Sequence, residues 1–329
     1  MGGYSSEYEV SINSGNNMFN AVDRNKYEVF GLEINPNGNK AWDEHKNKIE
    51  FNETNMTLNR NGHNLKLDLL FNLVHGHPGE DGTLALKWEI AGIPYSSSAP
   101  GPSALTFHKA WSNGVVSRMG ATVPKAILID AHADIKSLKL KLSDFDLPFF
   151  VKPSRAGSSF GITKIHSIND LNESIKIASK EDNSIIIEEA IAGIELACGL
   201  LKIKNKIKVL GITEIISKNE FFDYEAKYSG LTEEITPANI SADNSFEIEN
   251  ISKSLYRQLN LKGFCRFDFI LPKNSPAVLI EINTVPGMTL ESIIPKQLKN
   301  INLSLKEFTN LLAEEVLENG KNRNFPGIF

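Results

Sequence analysis

Two apolar runs close to the carboxyl end of the chain constrain its fold most strongly, because both alternate polar and apolar residues. In the run FCRFDFI, Arg266 and Asp268 fall on one face of a strand. In the run VLIEIN, Glu281 and Asn283 share a face in the same way. The connection between the runs is short, so we expect antiparallel neighbours in one sheet, with the four polar side chains at one patch.

This polar patch carries the ligand types of a metal site. Two carboxylates and an amide oxygen are hard oxygen ligands of the kind that Mg²⁺ takes, usually beside nucleotide phosphates. For either strand alone, a solvated face with an Arg–Asp ion pair is the better interpretation. Both strands present such groups, however, and the turn sequence TVPG follows at once. We therefore predict a metal site at Asp268, Glu281 and Asn283.

Composition and charge exclude several classes of protein. The 329 residues include 35 Lys and Arg against 40 Asp and Glu, and the isoelectric point is about 5.9. This balance argues against a nucleic-acid or anionic-membrane binder. No apolar run approaches the ~20 residues of a membrane span, and the first residues lack a signal-peptide pattern. Because Cys198 and Cys265 give no disulfide framework, we expect a reduced, cytoplasmic, multidomain protein.

Apolar periodicity predicts the secondary structure of the amino-terminal part. Strands are predicted at 27–34 and 65–74. A helix is predicted after Asp81, with Trp88 and Ile90 on its apolar side. This alternation of strands and helices predicts an α/β unit.

The rest of the chain is predicted to continue as α/β or α+β units. The predicted elements are a helix from about Ala104, strands 125–130 and 148–153, a helix over 168–180, a strand over 184–189, a hairpin of 194–203 and 207–216, a polar loop over 218–237, a helix over about 247–260, and strands 263–271 and 277–283.

Three further segments carry groups that suit a nucleotide or substrate site. VKPSRAGSSFG (151–161) places Lys152 at a strand end before a small-residue loop, which suits phosphate but lacks the Walker A and dinucleotide fingerprints. EEAIAGIE (188–195) leaves a strand and offers backbone groups and Glu195 to a nucleoside. Taken alone, an ordinary turn and a solvated acidic connector are the better interpretations of these two segments.

The third segment is HGHPGEDG (75–82), at the carboxyl end of an apolar strand, where sites of open α/β sheets lie. His75 and His77 suggest zinc, but no third ligand has suitable spacing. Glu80 and Asp81 are interpreted as caps of the helix that follows. A packed loop histidine is the commoner interpretation of His75.

Taken together and in order, these motifs resemble the D-alanine–D-alanine ligases of the ATP-grasp superfamily. The resemblance covers nearly the whole chain, and it rests on short motifs at family-like spacing. They are GGYSSEYEVSINSG (2–15), HGHPGEDG (75–82), GIPYSSS (92–98), VKPSRAGSSFG (151–161), EEAIAGIE (188–195), FFDYEAKYSG (221–230), CRFDF (265–269) and EINTVPGMTLESIIP (281–295). The resemblance implies an α/β (α+β) ATP-grasp architecture, with an N-terminal substrate domain over 1–97, a central domain over 98–192 and a C-terminal domain over 193–329.

The resemblance also implies a role for individual residues. Those implied to bind ATP are Lys109, Lys152, Glu188, Glu189, Ile191, Glu195 and Lys227. The implied metal ligands are Asp268, Glu281 and Asn283, in agreement with the strand-face argument. Residues implied to act on the substrates are Glu7, His75, Ser158, Tyr228, Arg266, Gly287, Ser292 and Ile293.

The activity implied is ATP-dependent ligation of two D-alanines through a D-alanyl phosphate, for peptidoglycan precursors in the cytoplasm. It would use two Mg²⁺ or Mn²⁺ ions per site and ATP as cosubstrate, in a homodimer without nucleic-acid or membrane partners. One alternative is a relative that joins D-alanine to D-lactate or D-serine, against which Tyr228 argues. The other is an inactive nucleotide-binding scaffold, which the intact set of charged residues disfavours.

The beginning of the chain departs from the family pattern. The glycine-rich segment normally follows a short apolar strand inside the N-terminal sheet, whereas Met1 stands directly before Gly2 and Gly3. We expect this first strand to be absent, with its neighbours' backbone groups left unpaired. The hypothesis that follows is a natural start upstream, encoding about five to eight apolar residues, the usual size of a strand.

Overall fold

A computed structural model describes residues 1–217 and 232–321 of the chain. Within these residues, the helices α1 to α9 are Tyr8–Ala21, Thr83–Ile90, Pro100–Phe107, Lys109–Arg118, Ile135–Lys141, Leu171–Ala178, Ala242–Gln258, Ile293–Asn300 and Leu305–Lys321. The strands β1 to β14 are Gly31–Glu33, Lys40–Trp42, Lys48–Asn52, Thr57–Arg60, His63–Lys66, Ala126–Asp130, Phe149–Pro153, Thr163–Ile165, Ser184–Glu189, Ile194–Ile203, Lys206–Ser217, Thr232–Ile235, Phe264–Leu271 and Val278–Asn283.

The carboxy-terminal sheet has the strand order β12-β11-β10-β13-β14, and its neighbours are antiparallel. The predicted hairpin and the predicted pairing of the last two strands are confirmed. Cys265, Phe267 and Phe269 are buried on the face of β13 opposite Asp268, in a core shared with helices α4 and α7. The alternation therefore separates a packed face from a polar face, as expected from the sequence.

One prediction for this region is wrong. Residues 232–235 were predicted to lie in a polar loop, but they form β12, whose Glu234 pairs with Ile215 of β11. The sequence of this strand has no strong apolar pattern, and the strand is stabilised by its pairing with the adjacent strand β11.

The central sheet has the antiparallel order β6-β9-β7-β8. The strands predicted at 125–130, 148–153 and 184–189 are confirmed to within one residue at each end. Their apolar residues Val151, Ile185 and Ile187 pack with Leu171 and Ile175 of α6. The helix predicted over 168–180 is also confirmed, although its first residues form a short 3₁₀ turn.

The amino-terminal part differs from the prediction. It contains helices and strands as predicted, but β1 to β5 form an antiparallel meander in sequence order between α1 and α2 instead of alternating with helices. Only Gly31–Glu33 of the run 27–34 is a strand, and the prediction for 65–74 is wrong beyond Lys66. There, Leu73 and Val74 are buried without forming a strand. An apolar run indicates burial, but it does not by itself indicate a strand.

The helix predicted after Asp81 is α2, but its apolar side is narrower than predicted. Trp88 is buried with Leu84, whereas Ile90 is 81% exposed at the carboxyl end of the helix. Position 90 is therefore a surface position, and the prediction for it is wrong.

The first three residues supply backbone pairing where an unpaired edge was expected. The amino group of Met1 donates to Leu32 O at 3.0 Å, Ile34 N–H donates to Met1 O at 2.9 Å, and Gly3 N–H donates to Ile34 O at 2.8 Å. The expectation that the neighbours of the missing strand have unpaired backbone groups is therefore wrong at Leu32 and Ile34. An upstream start stays a prediction.

Helix α1 follows this segment, and the apolar pattern of the sequence does not predict it. Its buried residues are Val10, Ser11, Ser14, Gly15, Met18 and Phe19, which fall on one helical face. Across the described parts of the chain, no helix has both the length and the apolar character to cross a membrane.

Candidate active site

A cleft of about 330 Å³ is lined by residues from the amino-terminal, central and carboxy-terminal parts of the chain. Every predicted site residue that the structure describes lines this cleft. These residues are Glu7, His75, Lys109, Lys152, Ser158, Glu188, Glu189, Ile191, Glu195, Arg266, Asp268, Glu281, Asn283, Gly287, Ser292 and Ile293. Lys227 and Tyr228 lie outside the described residues.

The paired strands β13 and β14 form the acidic edge of the cleft. Asp268 is opposite Glu281, and Arg266 is opposite Asn283. Arg266 donates to both carboxylate oxygens of Asp268 at 2.7 Å each. The Asn283 amide donates to Asp268 at 2.9 Å and to Glu281 at 3.3 Å. The predicted gathering of these four side chains is therefore observed.

The charge of Asp268 governs the protonation of Arg266. Burial would lower the pKa of the guanidinium, but the adjacent carboxylate raises this pKa above its ordinary range. Arg266 therefore stays a fixed cation beside the acidic edge.

The donor set at this edge fits a hard divalent cation. Asp268 and Glu281 supply carboxylate oxygens, and the Asn283 amide, which carries an oxygen as well as a nitrogen, lies beside both. Among the described residues, no group of three His, Cys, Asp or Glu side chains could hold a metal. A site here therefore depends on the amide oxygen of Asn283 as the third protein ligand.

Lys109 brings a buried cation to the acidic edge. It is the first residue of α4, whose Val116 packs in the core of the carboxy-terminal sheet. Its Nζ donates to Ala156 O at 2.6 Å and lies 3.2 Å from Glu281 Oε2. Burial would lower the pKa of Lys109, but Glu281 raises it, so the side chain stays charged.

Lys152 and Glu188 form a second buried ion pair on the central sheet. Lys152 lies near the end of β7, Glu188 lies in the adjacent β9, and their side chains are 8% and 3% exposed. The segment after β9 carries Ile191 along the wall of the cleft, and Glu195 follows at the start of β10. This wall therefore combines a cation, carboxylates and the backbone of the segment that connects β9 and β10.

Glu7 and Ser158 meet across the cleft from distant parts of the chain. Ser158 Oγ donates to Glu7 Oε1 at 2.5 Å. Ser158 and Ser159 have positive φ values of 48° and 62°, a conformation that turns the loop sharply. A Cβ on Gly157 would lie 2.4 Å from Glu7 Oε2. The loop thus fits closely around this carboxylate.

His75 contacts the segment that follows β14. Its Nε2 lies 3.2 Å from Ser14 Oγ, and its ring hydrogen-bonds to the backbone of Val285. Burial lowers the pKa of His75 to about 4, so the imidazole is neutral near pH 7. It therefore acts as a hydrogen-bonding group and not as a cation.

Ser292 stands before the first turn of α8 and contacts the same segment. Its Oγ accepts from Thr289 N–H at 3.0 Å. A Cβ on Gly287 would lie 2.8 Å from this oxygen. Glycine at 287 thus allows the backbone to approach the start of the helix.

Glu80 is a cleft residue that sequence reasoning missed. It was interpreted as a helix cap, but Asp81 is the residue that accepts from Thr83 N–H, at 3.0 Å. Glu80 is buried and accepts from Gly76 N–H at 2.8 Å. Burial and the charge of Glu7 raise its pKa to about 8. The motif HGHPGEDG signalled a site here, but not which acidic residue faces it.

Comparison with known proteins identifies the family of the chain. Two family models match the chain, the D-ala D-ala ligase N-terminus over residues 1–98 and the D-ala D-ala ligase C-terminus over residues 116–314. D-alanine–D-alanine ligase of Flavobacterium johnsoniae is 41% identical, with 95% of this chain and 96% of the relative covered. That of Azobacteroides pseudotrichonymphae is 37% identical, with 96% and 98% covered.

Solved structures give the same result. VanG D-Ala:D-Ser ligase from Enterococcus faecalis matches with a TM-score of 0.83 at 32% identity, over 96% of this chain and 97% of that one. D-alanyl-alanine synthetase A from Vibrio cholerae matches with a TM-score of 0.84 at 26% identity, over 97% of each. D-alanine–D-alanine ligase from Bacillus anthracis complexed with ATP matches with a TM-score of 0.76 at 27% identity, over 98% of this chain and 96% of that one.

The fold is therefore that of an ATP-grasp ligase. The chain belongs to the D-alanine–D-alanine ligase family.

Proposed function

We propose that this chain joins two D-alanines into D-alanyl-D-alanine for peptidoglycan precursors, with ATP converted to ADP and phosphate. The observation that carries the proposal is the convergence of the acidic edge, Lys109, Lys152 and the Glu7–Ser158 pair on one cleft. A ligase needs charge compensation for phosphates and a polar pocket for an amino acid, and the cleft offers both.

ATP occupies the side of the cleft between the central and carboxy-terminal sheets in this proposal. Lys109 and Lys152 bind the α- and β-phosphates, where two fixed cations offset phosphate charge. Glu188, the backbone of Glu189 and Ile191, and Glu195 bind the adenosine. Lys227, by the family resemblance, contacts the γ-phosphate.

Asp268, Glu281 and Asn283 would hold two Mg²⁺ or Mn²⁺ ions with the nucleotide. Bound there, the cations supply neutralisation of the charge on the transferring phosphoryl group. Their three protein ligands are oxygen groups, which supports magnesium or manganese over softer metals.

The first reaction step activates a carboxylate. The carboxylate of the first D-alanine attacks the γ-phosphorus, the bond to ADP breaks, and a D-alanyl phosphate forms. Glu7 binds the ammonium group of this D-alanine, and Ser158 holds Glu7 in place. By the family resemblance, Tyr228 completes this hydrogen-bonded group. His75, neutral near pH 7, hydrogen-bonds beside the same substrate.

The second step forms the peptide bond. The amine of the second D-alanine, bound near Ser292 and Ile293, attacks the activated carbonyl, and phosphate leaves. Arg266 and the Gly287 N–H stabilise the oxyanion of the tetrahedral intermediate, a role in which one donor contributes about 3–4 kcal/mol. The ion pair with Asp268 keeps Arg266 oriented for it.

A second candidate function follows from the match to a D-Ala:D-Ser ligase at 32% identity. A chain of this fold can take D-serine, and by extension D-lactate, as second substrate. Tyr228 supports D-alanine by resemblance.

Competing second substrates test the proposal. The purified chain is given ATP, Mg²⁺ and D-alanine, alone or with D-serine, D-lactate or L-alanine, and products are identified by mass spectrometry. We expect D-alanyl-D-alanine as main product in every mixture. A main product containing D-serine or D-lactate would favour the second candidate, and ATP turnover without any dipeptide would contradict both.

Two further features belong to the proposal. A cytoplasmic location is supported by the use of ATP as cosubstrate. The homodimer is supported by the family resemblance, and it stays a prediction.

A further inference from the structure

Helix α1 carries a fully buried polar residue that touches two parts of the cleft wall. Ser14 has no exposed surface, although serine is a weak helix former and gains little from burial in apolar surroundings. One of its neighbours is His75, and the other is Met288, which directly follows Gly287. The hydrogen bonds of this buried hydroxyl suit a residue that positions the backbone of the cleft wall.

The hydrogen bonds of Ser14 are directional. Ser14 Oγ accepts from Met288 N–H at 3.0 Å and lies 3.2 Å from His75 Nε2. Because the oxygen accepts from Met288, its single proton is available for Nε2 of the neutral imidazole. The hydroxyl therefore connects the backbone next to Gly287 with the histidine that bonds to Val285 of the same segment.

A second residue of α1 holds the same point. Asn17, one turn further along, donates from Nδ2 to Met288 O at 2.6 Å. Both backbone polar groups of Met288 thus bond to one helix of the amino-terminal part. These bonds fix the two peptide planes that follow Gly287, and the bond of His75 to the backbone of Val285 holds the chain before it.

We propose that Ser14 is a positioning residue that fixes the backbone beside Gly287, and with it the position of the Gly287 N–H. This inference rests on the proposed function, in which Gly287 N–H stabilises the oxyanion of the second step. Ser14 touches neither substrate nor nucleotide in it. Its effect passes through the segment 285–288.

The expected defect is specific to one half of the reaction. Ser14→Ala leaves the buried Met288 N–H without this acceptor and loosens the segment that carries Gly287. Formation of the acyl phosphate does not use Gly287. We therefore expect kcat for dipeptide formation to fall by about tenfold to hundredfold, the effect of a displaced catalytic group. The KM for ATP should stay close to that of the unchanged chain, and the first step, which loses only the contact of Ser14 with His75, should be largely retained.

The matched control lies on the same helix. Ser11 is equally buried, accepts from Gly2 N–H at 2.8 Å and donates to Leu73 O at 2.6 Å. Ser11→Ala therefore removes the same chemical group and the same number of bonds, but from other partners. A merely structural role would make the two variants alike in both melting temperature and kcat.

The experiment measures two rates for each variant in the full chain. The first step is followed by exchange of isotopic oxygen between bridging and non-bridging positions of ATP in the presence of D-alanine. The whole reaction is followed by dipeptide formation. Support is a large loss of dipeptide formation with retained exchange in Ser14→Ala, together with small effects in Ser11→Ala.

Other results overturn the inference in distinguishable ways. Equal losses in Ser14→Ala and Ser11→Ala, or equal losses of exchange and dipeptide formation, contradict the role of Ser14 alone. An unchanged chain that forms no dipeptide overturns the proposed function together with this inference. If Ser14→Ala does not fold, Asn17→Ala decides, because loss of its bond to Met288 O should give the same selective defect, and an unaffected kcat would count against the proposal.

Discussion

Because Gly157 has no side chain, the Glu7 carboxylate can lie directly against its backbone. A Cβ at this position would lie 2.4 Å from Glu7 Oε2, closer than real Cβ contacts. The neighbour is the end of a side chain, so the fold can adjust at small cost. We expect Gly157→Ala to melt near the unchanged chain but to lose most D-alanine-dependent ATP turnover, because Glu7 is displaced from its proposed contact with the first substrate.

Gly101→Ala is the control for this prediction, since a Cβ at 101 meets nothing within 4 Å. It makes the same chemical change in open space at the start of α3. Phosphate release measured at several D-alanine concentrations compares the variants. Equal turnover of Gly157→Ala and Gly101→Ala would show that the fit against Glu7 has no functional role.

Glu80 makes stability depend on pH in a direction that can be tested. Its pKa is raised from 4.5 to about 8 in the folded chain, by burial first and by Glu7 second. Between these values the unfolded chain has lost the proton and the folded chain keeps it. The contribution to stability is therefore full below the ordinary pKa and is lost as pH rises through the folded pKa.

Glu80→Gln replaces the titrating carboxyl group with an amide that stays neutral, while keeping an oxygen that can accept from Gly76 N–H. The melting temperature of the variant, relative to the unchanged chain, should therefore be higher at about pH 9 than at about pH 5. Thermal melting across this range measures the difference. A difference independent of pH would contradict the raised pKa of Glu80.

At the scale of elements, α4 offers a direct test of local stability. Gly114 lies inside this helix, and a Cβ there would meet nothing within 4 Å. Gly114→Ala should raise the free energy of unfolding by roughly 0.5–1 kcal/mol, since glycine loses more backbone freedom in a helix than alanine. Denaturant melts measure the change, and no gain would mean that α4 is not a helix around 114.

Elements with one buried and one open face could be predicted from the sequence. β13 is such an element, because Phe267 packs inwards while Asp268 faces the cleft. Helix α1 could not be predicted, since its sequence is rich in Ser, Asn and Gly, which are weak helix formers. Its structure comes from packing and from bonds such as that of Ser14 to Met288, which local propensity does not include.

At the scale of the whole molecule, the site residues could be named but their contacts could not. The strand alternation placed Asp268 and Glu281 together, and the family resemblance supplied the distant members. The bond between Glu7 and Ser158 spans 151 residues, and that between Ser14 and Met288 spans 274. Contacts over such separations depend on how the three parts of the chain pack, which no local pattern encodes.

In the proposed reaction, a D-alanine carboxylate receives the γ-phosphoryl group before the peptide bond forms. The most direct measurement uses D-alanine labelled with oxygen-18 in its carboxylate, with the isotopic mass of the released phosphate as readout. We expect each dipeptide formed to be accompanied by one phosphate carrying one labelled oxygen, together with ADP. Dipeptide formation with unlabelled phosphate, or with AMP as nucleotide product, would contradict the proposed reaction.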